Sequence, residues 1–392
     1  MTHYKYLIIG GGMAADAAVR GIREIDAQGS IGLMGGESDP PYDRPPLSKG
    51  LWKGKPIEKI WRQTETRQVE LHLGSSIVEL QPDQLQARDE QGNLFTADRI
   101  LLATGGTPRR LAFGGEQVIY YRTLADYRRL LALSTQAQKE FAVIGGGFIG
   151  SEIAAALAMS GKKVSLVFPE EGIGARLYPH DLSQFLNDYY RAKGVDVLNG
   201  EQITDIEQRA GRQALRLQSG QEFVVDGVVA GIGLQPNIGL AAAAGLQTAD
   251  GILVNEYLAT SHPDIYAAGD VAEIFNATLD KRVRVEHEDS ANTMGRQAGR
   301  NMAGAGEPYE HLSYFYSDLF ELGYEAVGEL DARLETYADW QEPFKKGVVY
   351  YLAKGRVRGV LLWNVWDSVP KARALLAEPG PFKPADLRGR LA

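Results

Sequence analysis

The hydrophobic and polar positions of this chain repeat one pattern twice. A strand-like run at 4–9 is followed by three glycines and then by apolar residues spaced as on one helix face, as far as Ile25. The same order returns at 141–160. Each copy predicts a strand, a glycine turn and a helix at the start of a parallel sheet. We therefore expect two similar folds within one chain.

The stretches between and after the two copies predict the rest of the architecture. Short alternating runs fill 69–103 and end in an apolar run, and 195–233 repeats that rhythm. The Tyr- and Val-rich runs of 312–363 are typical of an antiparallel sheet with a hairpin turn at 354–356, and a helix is expected from Pro370. The predicted fold class is α/β: two Rossmann-like dinucleotide-binding domains and a C-terminal α+β domain.

The first glycine turn has the spacing of a pyrophosphate site. Residues 10–15 read GGGMAA, a G-x-G-x-x-A pattern. Gly10 permits the tight turn, Gly12 lets the backbone approach a pyrophosphate, and Ala15 lets the helix pack closely on the strand. The helix N-terminus then offers N–H groups to the phosphate charge. An acid is expected after the second strand to bind ribose hydroxyls, and Glu37 stands at about that distance.

The second glycine turn, GGGFIG at 145–150, has the full G-x-G-x-x-G pattern. An apolar run at 164–168 follows it, and Glu170 comes soon after. A carboxylate at that place binds the adenosine ribose and repels a 2′-phosphate, so NADH is expected over NADPH. One such motif is weak evidence, but two in matching contexts predict two bound dinucleotides.

Composition excludes several kinds of chemistry. The 392 residues include no cysteine, so disulfides, thiolate-bound metals, cysteine-ligated iron–sulfur clusters and a redox-active dithiol are excluded. Any redox chemistry must therefore use a bound cofactor. The 42 Lys/Arg and 50 Asp/Glu give a net charge of −8, which argues against a nucleic-acid-binding surface. Two stretches are nevertheless basic, with seven Lys/Arg against three Asp/Glu at 41–67 and eleven against seven at 331–392.

The predictions for localisation and metal binding depend on three features that the sequence pattern does not show: a targeting segment, a membrane helix and a metal-binding cluster. A strand-like run begins almost at the first residue, with no signal or transit segment expected before it. No apolar stretch is long enough for a membrane helix, and no His/Asp/Glu cluster has metal-ligand spacing. We expect a soluble cytoplasmic protein without a metal.

Four further motifs indicate the family that the chain resembles. They are PYDRPPLSK at 41–49, ATGGTPR at 103–109, GLQPN at 233–237 and IYAAGD at 265–270. With the glycine turns they extend the likeness over nearly the whole chain. The chain resembles the two-dinucleotide-fold flavoprotein reductases, in particular the branch of ferredoxin reductases, monodehydroascorbate reductases and apoptosis-inducing factor. The resemblance implies that FAD and NADH are the cofactors.

The resemblance also implies domains and residue roles. An FAD-binding domain would comprise 1–112 and 246–310, an NAD-binding domain 113–245, and a C-terminal interface domain 311–392. Lys49 near the flavin ring, paired with Glu152 close to the nicotinamide, would be the catalytic residues, because a cation there stabilises reduced flavin. The candidate cofactor-binding residues are Gly10, Gly12, Ala14, Ala15, Glu37, Arg44, Lys49, Ala103, Thr104, Gly105, Asp270, Gly145, Gly147, Phe148, Ile149, Gly150, Glu170, Gly233, Glu286, His287 and Tyr316.

Several of these residues also have purely structural interpretations. Asp270 follows Gly269 where a strand is expected to meet a helix, so it also suits an N-cap. His287 is interpreted as structural rather than as an acid or base. The local sequence is also compatible with a solvated lysine for Lys49, a helix N-terminal carboxylate for Glu152, a simple turn for Thr104 and Gly105, and a core tyrosine for Tyr316, where ferredoxin reductases commonly have Trp.

The electron acceptor is left open by the sequence. The first hypothesis is electron delivery to a small iron–sulfur, ferredoxin-like protein, aided by the two basic stretches. The second is reduction of a small-molecule acceptor such as a quinone or an organic radical. The third is a redox sensor like apoptosis-inducing factor, in which NADH changes the assembly and turnover is slow. A homodimer is compatible with all three.

Overall fold

The computed structural model describes residues 1–135 and 139–391. The strands in this part are β1 Thr2–Ile9, β2 Ile31–Gly35, β3 Glu70–Leu73, β4 Ile77–Gln81, β5 Gln86–Asp89, β6 Leu94–Leu102, β7 Gly106–Pro108, β8 Val118–Tyr120, β9 Glu140–Ile144, β10 Lys163–Phe168, β11 Val195–Asn199, β12 Ile203–Arg209, β13 Arg212–Leu217, β14 Glu222–Val225, β15 Gly227–Ala230, β16 Leu234–Pro236, β17 Ile252–Leu253, β18 Ile265–Ala267, β19 Ala272–Asn276, β20 Lys281–Val283, β21 Tyr314–Leu319, β22 Leu322–Gly328, β23 Glu335–Glu342, β24 Lys346–Ala353 and β25 Arg356–Trp363. The helices are α1 Met13–Ile25, α2 Leu124–Ser134, α3 Phe148–Met159, α4 His180–Ala192, α5 Gly239–Ala243, α6 Glu288–Met302, α7 Val369–Ala377 and α8 Pro384–Leu387.

The described chain divides into two compact units. The first comprises Met1–Arg44, Pro56–Thr107 and Gln235–Ser313. The second comprises Pro45–Lys55, Pro108–Leu234 and the chain from Tyr314 onwards. The segment Pro45–Lys55, which carries Lys49, therefore belongs to the second unit. The three-domain division expected from the sequence stays a prediction.

The first unit is built on a sheet in the order β3-β2-β1-β6-β5-β4, with β18 also paired to β6. Strand β1 pairs in parallel with β2 and β6. Its residues Leu7 and Ile8 are fully buried, as expected for a central strand with both faces covered. The parallel arrangement brings the carboxyl ends of β1, β2, β6 and β18 to one edge, which is where such sheets bind ligands.

Helices α1 and α6 of this unit pack against each other through glycines. A Cβ on Gly21 would lie 2.0 Å from the Arg296 carbonyl oxygen. Cβ atoms on Gly295 and Gly299 would lie 2.3 and 2.1 Å from backbone oxygens of α1. Only glycine permits so close a backbone approach. This contact fixes α1, whose first turn begins at the glycine motif.

The second unit contains a parallel sheet in the order β11-β10-β9-β15-β8. Strand β9 leads through the second glycine turn into α3, as the sequence predicts. A smaller antiparallel sheet, β12-β13-β14, contributes Leu215 and Leu217 to the core beneath β15. The two strand–turn–helix repeats and the parallel sheets confirm the predicted α/β fold class.

The C-terminal part of the second unit is an antiparallel sheet in the order β21-β22-β25-β24-β23. Its β24–β25 hairpin turns at Lys354 and Gly355, as predicted. Helix α7 follows and buries Leu375 and Leu376. Among the described helices, none combines the length and the apolar composition that crossing a membrane requires.

Candidate functional site: two dinucleotide cradles and a buried ion pair

The first glycine turn is shaped by close backbone packing. Gly10 has φ +133°, and a Cβ there would lie 2.1 Å from the Ala103 carbonyl oxygen. Gly12 is the N-cap residue of α1, and no side chain caps that helix start. A Cβ on Gly12 would meet only the Arg44 guanidinium, at 4.0 Å. The turn therefore presents N–H groups and a nearby cation, a suitable arrangement for a pyrophosphate. We call residues 10–15 the first cradle.

The small residues of this turn serve helix packing. Ala14 and Ala15 are buried in the first turn of α1. A Cβ on Gly269, which has φ +78°, would lie 2.8 Å from the Ala14 Cβ. Ala14 thus separates α1 from the turn that carries Asp270.

Glu37 and Arg44 are brought together by the fold. The Arg44 guanidinium forms an ion pair with Glu37. The Tyr42 hydroxyl donates to Glu37 Oε2 at 2.6 Å, and Arg44 Nη1 donates to that hydroxyl at 3.1 Å. Burial alone would lower the pKa of Arg44, but the neighbouring Tyr42, Glu37 and Asp270 raise this pKa above its ordinary value. Arg44 is therefore a permanent cation held beside the first cradle.

Residues 103–105 form the turn after β6. The Ala103 N–H donates to the Ile9 carbonyl at 2.8 Å, which joins this turn to the end of β1. Asn237 fixes the other side: it donates to the Thr104 carbonyl at 2.8 Å, and its own carbonyl accepts from Thr104 Oγ1 at 2.9 Å. Gly105 has φ +64°. This turn is held by hydrogen bonds rather than left as a loose loop.

Asp270 does not stand at the start of a long helix. It lies in a single 3₁₀ turn, Gly269–Val271, which runs directly into β19. The expected strand-to-helix junction is therefore wrong in that detail, because residues 272–276 pair as a strand instead of continuing the turn. The largely buried Arg284 donates to the Asp270 carbonyl at 3.1 Å and to Glu286 Oε1 at 2.6 Å. Glu286 is thus tied to the Asp270 turn through Arg284.

His287 is the N-cap residue of α6, and its side chain makes no capping hydrogen bond. The helix that it begins carries Glu288 and Asp289 in its first turn, where acidic side chains favour the helix dipole. The role of His287 stays a prediction.

The second glycine turn repeats the design of the first. Gly145 has φ +109°, and a Cβ there would lie 2.4 Å from the Gly231 carbonyl oxygen. A Cβ on Gly150 would lie 1.8 Å from the Gly145 carbonyl oxygen, so only glycine fits. Gly147 is the N-cap residue of α3, again without a side-chain cap, and a Cβ there would meet no atom within 4 Å. The backbone at Gly147 is therefore accessible to a phosphate. We call residues 145–150 the second cradle.

The first turn of α3 and the ends of the neighbouring strands complete this cradle. Phe148 packs edge-on against Phe315, with ring centroids 5.5 Å apart, and Ile149 follows it. Gly233 has φ +95°, and its carbonyl accepts from the Arg109 N–H at 2.9 Å.

Glu170 lies just beyond β10, as the sequence predicts for a ribose-binding acid. Its Oε1 is 2.7 Å from Nη2 of Arg176, whose side chain is 84% exposed. The sequence did not draw attention to Arg176. The carboxylate at this place is therefore paired with an exposed cation.

Lys49 and Glu152 form the predicted ion pair, with Lys49 Nζ 2.7 Å from Glu152 Oε1. The Glu152 side chain is only 2% exposed. Lys49 Nζ also lies 5.2 Å from the centre of the Tyr316 ring, in cation–π contact. Tyr316 therefore stands beside this ion pair.

Two serines that the sequence interpretation did not select also contact Glu152. Ser48 Oγ donates to Oε2 at 2.6 Å and Ser317 Oγ donates to Oε1 at 2.6 Å. For Ser48 the available signal was its place in the motif at 41–49, next to Lys49, and for Ser317 it was adjacency to Tyr316. Tyr42 and Asn237 also lie within the motifs at 41–49 and 233–237 but were not selected, and Arg284 had no motif to mark it.

The residues present fit two dinucleotides. Each unit has a glycine cradle whose helix start lacks a side-chain cap, followed by a carboxylate after the next strand. No group of three or more His, Asp or Glu side chains in residues 1–135 and 139–391 is arranged to hold a metal ion.

Two family profiles match the chain. Residues 4–297 match the family described as pyridine nucleotide-disulphide oxidoreductase. Residues 298–343 and 338–378 match the C-terminal domain of mitochondrion-associated apoptosis-inducing factor. Together these matches extend over both units.

Individual relatives and solved structures agree with the profiles. The chain is 34% identical to a 5,5'-dehydrodivanillate O-demethylase ferredoxin reductase subunit of a Sphingobium species, over 96% of this chain and 94% of the relative. It is 33% identical to apoptosis-inducing factor 1 of Dictyostelium discoideum, over 96% of this chain and 79% of the relative. A crystal structure of a covalent putidaredoxin reductase–putidaredoxin complex superposes with a TM-score of 0.91, at 29% identity, over 98% of this chain and 95% of the other.

Proposed function

The chain belongs to the pyridine nucleotide-disulphide oxidoreductase family, and from that premise we propose that it delivers electrons from NADH, through FAD, to a small ferredoxin-type protein. The general class is given by the family: this is an FAD-dependent NAD(P)H oxidoreductase. Because the chain has no cysteine, the disulphide chemistry in the family's name is not available to it.

The observation that carries the proposal is the pair of matching cradles. We propose an FAD-binding domain formed by 1–112 and 246–310, with Gly10, Gly12 and Arg44 at the pyrophosphate and Glu37 and Asp270 at the sugar hydroxyls. We propose an NAD-binding domain at 113–245 with the turn 145–150 as its pyrophosphate site, and an interface domain at 311–392.

Lys49 and Glu152 are the proposed catalytic residues. When bound, FAD accepts two electrons as hydride from the nicotinamide and can release them one at a time. A lysine ammonium beside a flavin ring stabilises the added negative charge. Glu152 fixes the ammonium through a 2.7 Å ion pair, so the charge is in place before reaction and no large reorganisation is needed.

The preference for NADH is proposed from Glu170. Its carboxylate would accept hydrogen bonds from the adenosine ribose hydroxyls and would repel a 2′-phosphate. Arg176 reduces that repulsion but stays paired to Glu170 at 2.7 Å.

A ferredoxin-type acceptor is supported by the relatives. The Sphingobium relative is named as a ferredoxin reductase subunit, and the putidaredoxin reductase of the solved complex is linked to putidaredoxin. The exposed cations of the stretches 41–67 and 331–392 would attract an acidic partner. Within 41–67 these include Lys53 and Lys59, whereas Arg44, Lys49 and Arg62 are mostly buried in ion pairs. We also propose that the protein is cytoplasmic and that it forms a homodimer.

A second candidate is a slowly turning-over NADH sensor. It is favoured by the match of the C-terminal residues to the apoptosis-inducing factor domain. Reduction of a quinone or organic radical is the third candidate, and a relative named monodehydroascorbate reductase, from Arabidopsis thaliana, is 30% identical to the chain.

The test is an anaerobic titration of the purified flavoprotein with NADH and, separately, NADPH, followed by flavin absorbance. We expect prompt bleaching by NADH, weaker bleaching by NADPH, and fast reoxidation by an added ferredoxin. Slow reoxidation with a change in sedimentation on adding NADH would favour the sensor. A protein without flavin, or a flavin that neither nucleotide bleaches, would contradict the proposal.

A further inference from the structure

The Glu152 carboxylate joins three distant segments of the second unit. Glu152 itself is on α3, Ser48 and Lys49 come from the segment Pro45–Lys55, and Ser317 comes from β21. Each carboxylate oxygen has a hydroxyl donor: Ser48 Oγ at 2.6 Å from Oε2 and Ser317 Oγ at 2.6 Å from Oε1. Glu152 and both serines are buried.

This arrangement restricts the carboxylate more than the ion pair alone could. A single ammonium at one oxygen leaves the carboxylate free to rotate about its last bond. Donors on both oxygens fix the plane of the group, and hydrogen bonds to a charged acceptor are the strong kind. Because Ser48 and Lys49 are consecutive, the same short segment contacts both oxygens, which also fixes the lysine backbone.

Ser317 stands beside a buried aromatic group. Its partner across the β21–β22 ladder is Tyr324, which is fully buried. Tyr178 donates to Tyr324 at 2.8 Å. Burial raises the pKa of both tyrosines well above the ordinary value, so both remain neutral hydroxyl groups. Stacking of Tyr324 on Trp363, with ring centroids 5.6 Å apart, makes this support rigid.

We propose that Ser48 and Ser317 are positioning residues that orient Glu152, and through it the Lys49 ammonium, for electron transfer to the flavin. The proposal rests on the proposed function for the identity of the reaction. The orientation of Glu152 is a separate property, because it can be read from the flavin spectrum without turnover.

The experiment compares four holoprotein variants: Ser48→Ala, Ser317→Ala, Glu152→Gln, and Glu152→Gln combined with Ser317→Ala. The limiting rate of flavin bleaching at saturating NADH and the visible band of the oxidised flavin are measured for each. We expect each serine variant to lose about tenfold in limiting rate, with an NADH dissociation constant changed less than about twofold. We expect its flavin band to shift in the same direction as that of Glu152→Gln.

The combined variant separates positioning from a general structural effect. If Ser317 acts through Glu152, removing its hydroxyl in the Glu152→Gln background should cost no further rate. Ser183→Ala is the matched control, since Ser183 is equally buried in the same unit and donates only to the Ile173 carbonyl, at 2.8 Å. If Ser317→Ala fails to fold, the same comparison can be made with Ser48→Ala. Its limiting rate is then measured alone and in the Glu152→Gln background.

Wild-type rates and bands in both serine variants would overturn the proposal. The proposal would also be overturned if the rate loss of a serine variant added its full factor to that of Glu152→Gln in the combined variant. An equal rate loss in Ser183→Ala would overturn it too. Failure of NADH to bleach the wild-type flavin would instead contradict the proposed function, and the band comparison would still decide whether the serines position Glu152.

Discussion

At the scale of single residues, burial decides which charged side chains contribute most to the stability of the fold. The Asp16 carboxylate in α1 is fully buried and is held by three donors: Thr64 Oγ1 at 2.6 Å, Arg62 Nε at 2.7 Å and Arg20 Nε at 2.7 Å. Burial alone would raise the pKa of Asp16, but these donors outweigh it and lower the pKa below 3.8. Exposed pairs on the surface contribute much less.

We expect Asp16→Asn to lower the free energy of unfolding by about 3 kcal/mol at pH 7, because it removes a fully buried anion on which three donors converge, although Arg62 keeps its ion pair with Asp43. Denaturant unfolding of the holoprotein measures this. Asp188→Asn is the control, since Asp188 is 81% exposed and pairs with the half-exposed Arg191. A similar loss in both variants would show that burial of Asp16 is not the cause.

The pH dependence follows from the direction of the shift. A carboxyl whose folded pKa is lowered stabilises the protein fully above its unfolded pKa, and this stability is lost as pH falls through the folded pKa. The difference between wild type and Asp16→Asn should therefore be constant from about pH 6 to 8 and shrink below about pH 4. A difference that grew on acidification would contradict the assignment.

The proposed preference for NADH is also a property of single residues. We expect Glu170→Ala to raise the dissociation constant for NADH by about tenfold, because the hydrogen bonds of a charged group to the ribose hydroxyls are lost. The same change releases Arg176 from its 2.7 Å pair, so binding of NADPH should improve. The rate of flavin bleaching at increasing concentrations of each reduced coenzyme gives both dissociation constants, and Glu171→Ala is the adjacent control. Equal use of NADPH by the wild type would show that Glu170 does not discriminate.

At the scale of elements, the cradles depend on backbones that approach each other without side chains between them. Helix α6 contacts α1 through Gly295 and Gly299, and the first turn of α1 is the proposed pyrophosphate site. Helix packing in the first unit therefore also positions the candidate cofactor site. In the second unit, Gly150 has the same function within the turn itself.

We expect Gly295→Ala to destabilise the first unit by about 3 kcal/mol and to lower its FAD content, because the new Cβ would lie 2.3 Å from the Ala14 carbonyl oxygen. Thermal unfolding and the ratio of flavin to protein absorbance measure the two effects.

Gly239→Ala, in α5 of the same unit, is the matched control. A Cβ there would meet no atom within 4 Å, so the expected change is within about 0.5 kcal/mol. Normal FAD content in Gly295→Ala would mean that α1 can move away from α6 without disturbing the cradle.

At the scale of the whole molecule, charge is unevenly distributed along an acidic chain. The net charge is −8, yet 41–67 and 331–392 are basic. General repulsion from an acidic acceptor and local attraction to these stretches therefore act in opposite directions. Salt screens both effects, so the reaction rate should fall with salt if the local attraction dominates and rise if the general repulsion does.

We expect electron delivery to an acidic ferredoxin to fall about tenfold between about 0.05 and 0.5 M salt, because the attraction of the docked surfaces is screened. Reduction of a neutral quinone by the same holoprotein is the control and should change little. Steady-state rates at matched NADH measure both. A ferredoxin rate that is unchanged or rises with salt would remove the basic stretches from the docking surface.

Much of the fold could be predicted because its signals are local. The repeated order of apolar run, glycine turn and helical spacing identified β1 with α1 and β9 with α3, and the predicted hairpin at 354–356 was confirmed. The junction at Asp270 was predicted wrongly because a short 3₁₀ turn and a helix start have the same local residues, and only pairing of β19 distinguishes them.

By itself, the sequence determined the two dinucleotide folds, the absence of thiol chemistry and the acids after the second strands, because periodicity, glycine spacing and composition act over a few residues. Only the tertiary structure decided which side chains meet. Ser48 and Ser317 reach Glu152 across 104 and 165 residues of chain, and Asn237 reaches Thr104 across 133. Such contacts depend on how whole elements pack, and no local pattern records which distant residue will supply the donor.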